Sequence, residues 1–199
     1  DKKKEYEELK ALVDNHPLEL NYKVMLGNWL LKKGKKKEAL NIYKAVLKED
    51  PDYSPAKLSL LDYYEEINDN PAVDALVSEL LRSPKTEVDT KVVIIRQAIN
   101  NNQASGIKEY DKIFHLFSEA LSTPQQTATI YMLKAAFMNL IKMPSDSLNS
   151  VYQKALLVEP DNTAARINLI QNIWAKQDFD RIIELCKPAL QYNPEEMAF

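Results

Sequence analysis

Apolar residues recur three and four apart along most of the chain, the spacing of helices that bury one face. The pattern is plainest between Tyr22 and Leu47. Tyr22, Val24, Met25, Leu26, Trp29, Leu30 and Leu31 set one apolar face. Lys32-Lys33-Gly34-Lys35-Lys36 interrupts it, and Gly34 suits the left-handed residue that ends a helix. Ala39, Leu40, Tyr43, Val46 and Leu47 then set a second apolar face. Asp50-Pro51 closes it, because a proline disfavours helical geometry in the residue before it. The pattern predicts two helices joined and bounded by tight turns.

Prolines repeat this punctuation at Pro17, Pro51, Pro84, Pro124, Pro160 and Pro194, at separations of 34, 33, 40, 36 and 34 residues. A period of that size marks a repeat architecture. The expected units are a partial one at 1–17, then 18–51, 52–84, 85–124, 125–160 and 161–194, with 195–199 opening a further unit. All of them are expected to form one quasi-linear domain over 1–199. The middle is irregular. The polar stretch from Asn100 to Gly106 is expected to lengthen the internal turn of the third unit, and extra residues near Met143-Pro144 to lengthen the fourth.

The 18–51 unit resembles the tetratricopeptide repeat: Leu26, Gly27, Gly34, Ala39, Tyr43 and Pro51 stand at that family's marked places. Leu169, Phe179, Ala189, Leu190 and Pro194 match it again, as do Tyr152, Ala155, Leu156 and Pro160. The second unit departs from it, with Leu61 for the small residue and Val73 for the alanine. The resemblance implies an all-α fold, a right-handed α-solenoid of antiparallel helix pairs. It also implies a concave face lined by first helices. Carried over by repeat position, the partner-facing residues would be Val24, Asn28, Leu31, Leu58, Asp62, Tyr131, Met138, Ile167, Gln171 and Trp174. Glu65 is the second unit's twelfth position, and a looser alignment of the middle adds Val93, Gln97, Asn100 and Ala135. The set reads as an apolar strip beside an amide-rich strip, suited to an extended peptide or a partner helix. Two readings of the apolar strip stand side by side: exposed in the groove, or packed between helices. Trp174 and Tyr131 are the leading single residues, since aromatics dominate binding hot spots. The carboxylate clamp of chaperone-adaptor members is excluded, because its lysine place is Val24 and an asparagine place is Ser59.

Composition changes this picture little. Three glycines in 199 residues and 45% hydrophobic content suit a helical chain. A formal charge of −3 argues against nucleic acid, which needs a sustained basic surface. The Lys32–Lys37 run is read as a solvated turn. No apolar run is long enough to cross a bilayer, so no direct membrane insertion is expected. His16 and His115 are too far apart to begin a metal site. Cys186, the single cysteine, has no thiol to pair with in the chain, and it is read as a packed side chain at the large-residue place of its helix rather than a nucleophile, which would need an activating base. Phosphate loops and nucleophile elbows are absent. The expectation is no enzyme, no metal and no cofactor.

The function expected is a non-enzymatic protein-interaction scaffold. The alternative is a helical accessory module of a larger exported or membrane-associated assembly, or of a multidomain enzyme, with the activity carried by flanking regions. The charged start, Asp1 to Glu8, reads as a second helix without its first, and nothing after Pro194 reads as a cap. A piece of a longer protein, and self-association through uncapped ends, are therefore expected. Divergent repeats rich in Lys, Asn and Tyr resemble bacterial exported tetratricopeptide proteins, while the compartment stays open.

Overall fold

The structure is a computed structural model and describes residues 2–123 and 127–199. Pro124, one of the recurring prolines, lies outside the described residues. The described residues form eleven helices and no strand. Two compact units divide at Thr86 and Glu87. The first holds α1 (Lys2–Asn15), α2 (Leu20–Lys32), α3 (Lys36–Glu49), α4 (Ser54–Glu66) and α5 (Asn70–Arg82). The second holds α6 (Val88–Ser105), α7 (Tyr110–Ala120), α8 (Ala128–Leu140), α9 (Ser145–Val158), α10 (Thr163–Trp174) and α11 (Phe179–Tyr192).

Each unit is built of helix pairs: α2 packs on α3 and α4 on α5, then α6 on α7, α8 on α9 and α10 on α11. In every pair the connecting turn contains one residue at positive φ: Gly34 (76°), Asn68 (57°), Gly106 (67°), Lys142 (59°) and Gln177 (58°). A left-handed residue there lets the next amide reach back to the last carbonyls of the helix. Lys35 N donates to Leu30 O, Asp69 N to Tyr64 O and Met143 N to Met138 O, each at 2.9 Å. Three of the five turns use a side chain where glycine costs least. Second helices start on conventional caps in two pairs: Asp69 accepts from Ala72 N at 3.2 Å, and Asp178 from Arg181 N at 3.2 Å.

In the first unit Gly27 allows α2 and α3 to close on each other. A Cβ at that position would lie 2.5 Å from Cε1 of Tyr43, whose ring is wholly buried. Val24, Val46 and Ala56 form a core beside it, flanked by Leu20, Ile42, Leu47 and Tyr53. In the second unit a larger core runs from Ala128 and Tyr131 through Leu148, Tyr152 and Ala155 to Ala165, Leu169 and Ile182. Phe137 of α8 faces α7, with the Tyr110, Phe114 and Phe117 ring centroids at 5.9, 5.4 and 6.1 Å.

The third pair corrects one expectation. Asn100 to Ser105 does not loop out; it continues α6 to 18 residues, and Gly106 ends the helix in the left-handed conformation. Asparagine is a weak helix former, but Ile94, Ile95 and Ile99 bury the preceding turns and carry the helix forward. The extra residues of this repeat lengthen a helix rather than a turn.

Candidate partner-binding surface

The residues named from repeat position separate by burial. Val24, Leu31, Tyr131 and Met138 are 3%, 8%, 8% and 4% exposed, and they pack between helices. Leu58 and Ile167 are half-buried. Asn28 is half-buried, while Asp62, Gln171 and Trp174 are exposed. The apolar strip thus takes the second of its two readings at four positions. The polar members remain on the surface. Of the looser set, Ala135 is buried, and Glu65, Val93, Gln97 and Asn100 are exposed.

Asn28, Leu31 and Asp62 come together in the first unit. With Lys32, Glu65 and Glu66 they line a recess of about 560 Å³ between α2 and α4. Its floor is fixed by Tyr43, whose hydroxyl donates to Oδ1 of Asn28 at 2.8 Å. That bond commits the asparagine carbonyl inward and leaves its NH₂ as a donor. The recess is acidic and partly desolvated. Partial burial raises the Asp62 carboxyl above the ordinary range, with Lys32 opposing it. Burial and then the Asp62 charge raise Glu65. Burial, then Asp62 and Glu66, push the Tyr43 phenol up to about 12. Lys36 meets Glu66 at 3.0 Å. Burial is the leading cause for both carboxyls, so a cation beside them would favour their charged forms.

In the second unit Trp174 is 60% exposed at the end of α10, and it meets Phe179 edge-on at 5.7 Å and 86°. Gln171 lies one turn before it on the same helix. Tyr131, paired with Trp174 in the sequence reading, is in the core instead.

Sequence reasoning missed a row of buried cations. Counted from each N-cap, the fourth residue of four first helices is basic: Lys23, Lys57, Lys91 and Arg166. Lys57, Lys91 and Arg166 are at most 5% exposed. In the first unit they meet carboxylates, Lys23 Nζ to Glu49 Oε1 and Lys57 Nζ to Glu79 Oε1, both at 2.6 Å. In the second, Lys91 donates to Oγ1 of Thr123 at 3.2 Å, and Arg166 to the carbonyls of Leu185 and Pro160 at 2.8 and 2.6 Å. Burial lowers the pKa of both Lys91 and Arg166. The sequence signal was present, a basic residue at one place in four of the five paired first helices, but it reads as surface decoration until the neighbouring helix is in place.

Among the described residues no group of His, Cys, Asp and Glu is placed to hold a metal ion, and no helix is long and apolar enough to cross a membrane.

These features define a class: a helical-repeat protein built of antiparallel pairs, with a polar, partly acidic first-helix surface. No protein-family profile matches the chain, and no curated protein matches it. Solved structures do. BtubC (BKLC) from P. vanneervenii is 16% identical, over 100% of this chain and 90% of that one, at a TM-score of 0.50. YrrB, a TPR protein with an unusual peptide-binding site, is 13% identical over 95% and 94%, at 0.45. TTC0263, a thermophilic TPR protein in Thermus thermophilus, is 16% identical over 89% and 93%, at 0.43. The chain is similar in fold to tetratricopeptide-repeat proteins, with divergent repeats.

Proposed function

We propose that the chain is a non-enzymatic protein-interaction scaffold, and that the α2–α4 recess is one place where it holds its partner. The observation that supports this is the convergence of Asn28, Leu31, Asp62 and Glu65, four positions named from the repeat, on one recess. An amide donor, a leucine edge and partly desolvated carboxylates suit a lysine or arginine from an extended peptide or helix. The cation pairs with the acids while its aliphatic stem lies on Leu31.

A fluorescein-labelled peptide of about ten residues alternating leucine and lysine is the probe, compared with one in which glutamate replaces lysine. The basic peptide binds, its affinity falls with salt, and Asp62→Asn/Glu65→Gln weakens it about tenfold. Equal binding of both peptides, or no effect of the double substitution, would refute the assignment.

A further inference from the structure

Two lysines of the α2–α3 turn are posted on aromatic rings. Lys33 Nζ stands 5.3 Å from the Trp29 ring centroid and Lys35 Nζ 5.7 Å from that of Tyr6, and the two rings lie 5.3 Å apart. The Trp29 indole N–H donates to Oε2 of Glu5 at 3.2 Å, which orients the ring beneath Lys33. An aromatic face positions an ammonium without neutralising it. Lys35 also meets Glu38 at 3.5 Å in an exposed pair, while Lys33 meets no carboxylate among the described residues.

This turn adjoins the α2–α4 recess. Lys32 lines the recess, and Lys36 meets Glu66, another of its lining residues, at 3.0 Å. Opposite charges therefore share an edge, with Asp62, Glu65 and Glu66 on one side and Lys32, Lys33 and Lys35 on the other. The helix pair that carries the turn has neighbours on both sides, α1 on α2 and α4 on α3, so the edge belongs to a complete repeat. A uniformly anionic surface would be repelled by the acids as it met the lysines. A segment carrying both charges meets each with its opposite.

We infer that the partner held in the recess is a peptide segment of mixed charge, whose basic residue enters beside Asp62 and Glu65 and whose neighbouring acidic residues pair with Lys33 and Lys35. This rests on the recess reading and adds to it the second charge of the partner and its direction along the α2–α3 edge. The cation–π contacts place both ammoniums in advance, so less side-chain freedom is lost when the acids arrive.

The test uses the whole chain and the leucine–lysine peptide described above, extended at either end by a short run of glutamate or of glutamine. Glutamate at one of the two ends raises affinity about fivefold over glutamine, and high salt abolishes the gain. Lys33→Gln/Lys35→Gln removes the gain and leaves the glutamine-extended peptide bound as before. Lys44→Gln/Lys48→Gln, the same charge change at exposed sites of α3, preserves the gain. Asp62→Asn/Glu65→Gln weakens both peptides. If the glutamine-extended peptide binds and glutamate adds nothing, or if the Lys44/Lys48 variant loses the gain equally, this inference falls and the recess reading stands. If neither peptide binds, both fall. Capture of the chain by phosphatidylserine vesicles that is lost with Lys33→Gln/Lys35→Gln would put a membrane in place of the acidic residues and overturn the inference.

Discussion

The contact between Gly27 and Tyr43 yields the sharpest expectation. Gly27→Ala would place a methyl group 2.5 Å from Cε1 of Tyr43, 3.1 Å from Cδ1 and 3.3 Å from Cζ. Carbon atoms rest at about 3.5–4.0 Å, so the ring or the helix must give by about 1 Å. The ring cannot swing into solvent, being fully buried and tied by its hydroxyl to Asn28. Overpacking of this kind costs about 1–3 kcal/mol, against about 1 kcal/mol returned by the better helix propensity of alanine. At so short a contact the cost lies toward the upper end, and a net loss of about 1–2 kcal/mol follows. In a Tyr43→Leu background the obstructing ring is absent, and the same substitution should be neutral or stabilise by up to about 1 kcal/mol. Urea unfolding followed by Trp29 fluorescence, with Trp174 replaced by Phe, reads the first unit alone. An equal effect of Gly27→Ala in both backgrounds would refute the reasoning, as would stabilisation in the wild-type chain.

Two further outcomes can be checked on the same chain. Lys142→Gly and Gln177→Gly relieve left-handed backbone at exposed turn positions, and each should raise stability by about 0.5–1 kcal/mol in the urea midpoint, whereas Lys176→Gly, beside Gln177 in the same turn but outside the left-handed set, should lower it or leave it unchanged. Lys91 has its pKa lowered by burial, so between that lowered value and the ordinary lysine value the unfolded state binds more protons and stability rises with pH. Lys91→Met should remove this rise, seen as a wild-type-minus-variant difference in melting temperature that increases from about pH 7 to about pH 10; a constant difference would show that Lys91 does not titrate differently on folding.

Much of the scaffold was legible in the residues because helical repeats encode themselves locally. The apolar period, the glycine at 34 and the closing prolines each act within a few residues of where they stand. Legibility failed where a distant partner decides the outcome. Asn100 to Ser105 has turn composition, yet isoleucines upstream hold it helical. Lys142 and Gln177 take a left-handed turn that their side chains disfavour, where Asn68 tolerates it, because the pair geometry demands it. Lys57 and Lys91 look like surface cations, yet a neighbouring helix closes over each stem.

The surface residues follow the same logic. A first helix in this fold meets its own second helix and a neighbouring pair, so a large apolar residue that faces either of them is drawn into contact, while Val93 and Trp174 stay exposed. Val24, Leu31, Tyr131 and Met138 went that way. A residue at an equivalent place stays available to a partner only if its side chain resists burial, as a carboxylate or amide does, or if no helix covers it. Asp62, Glu65 and Gln171 meet the first condition. The proposed recess is lined mainly by polar and charged side chains because most of the apolar residues beside it are already packed between helices.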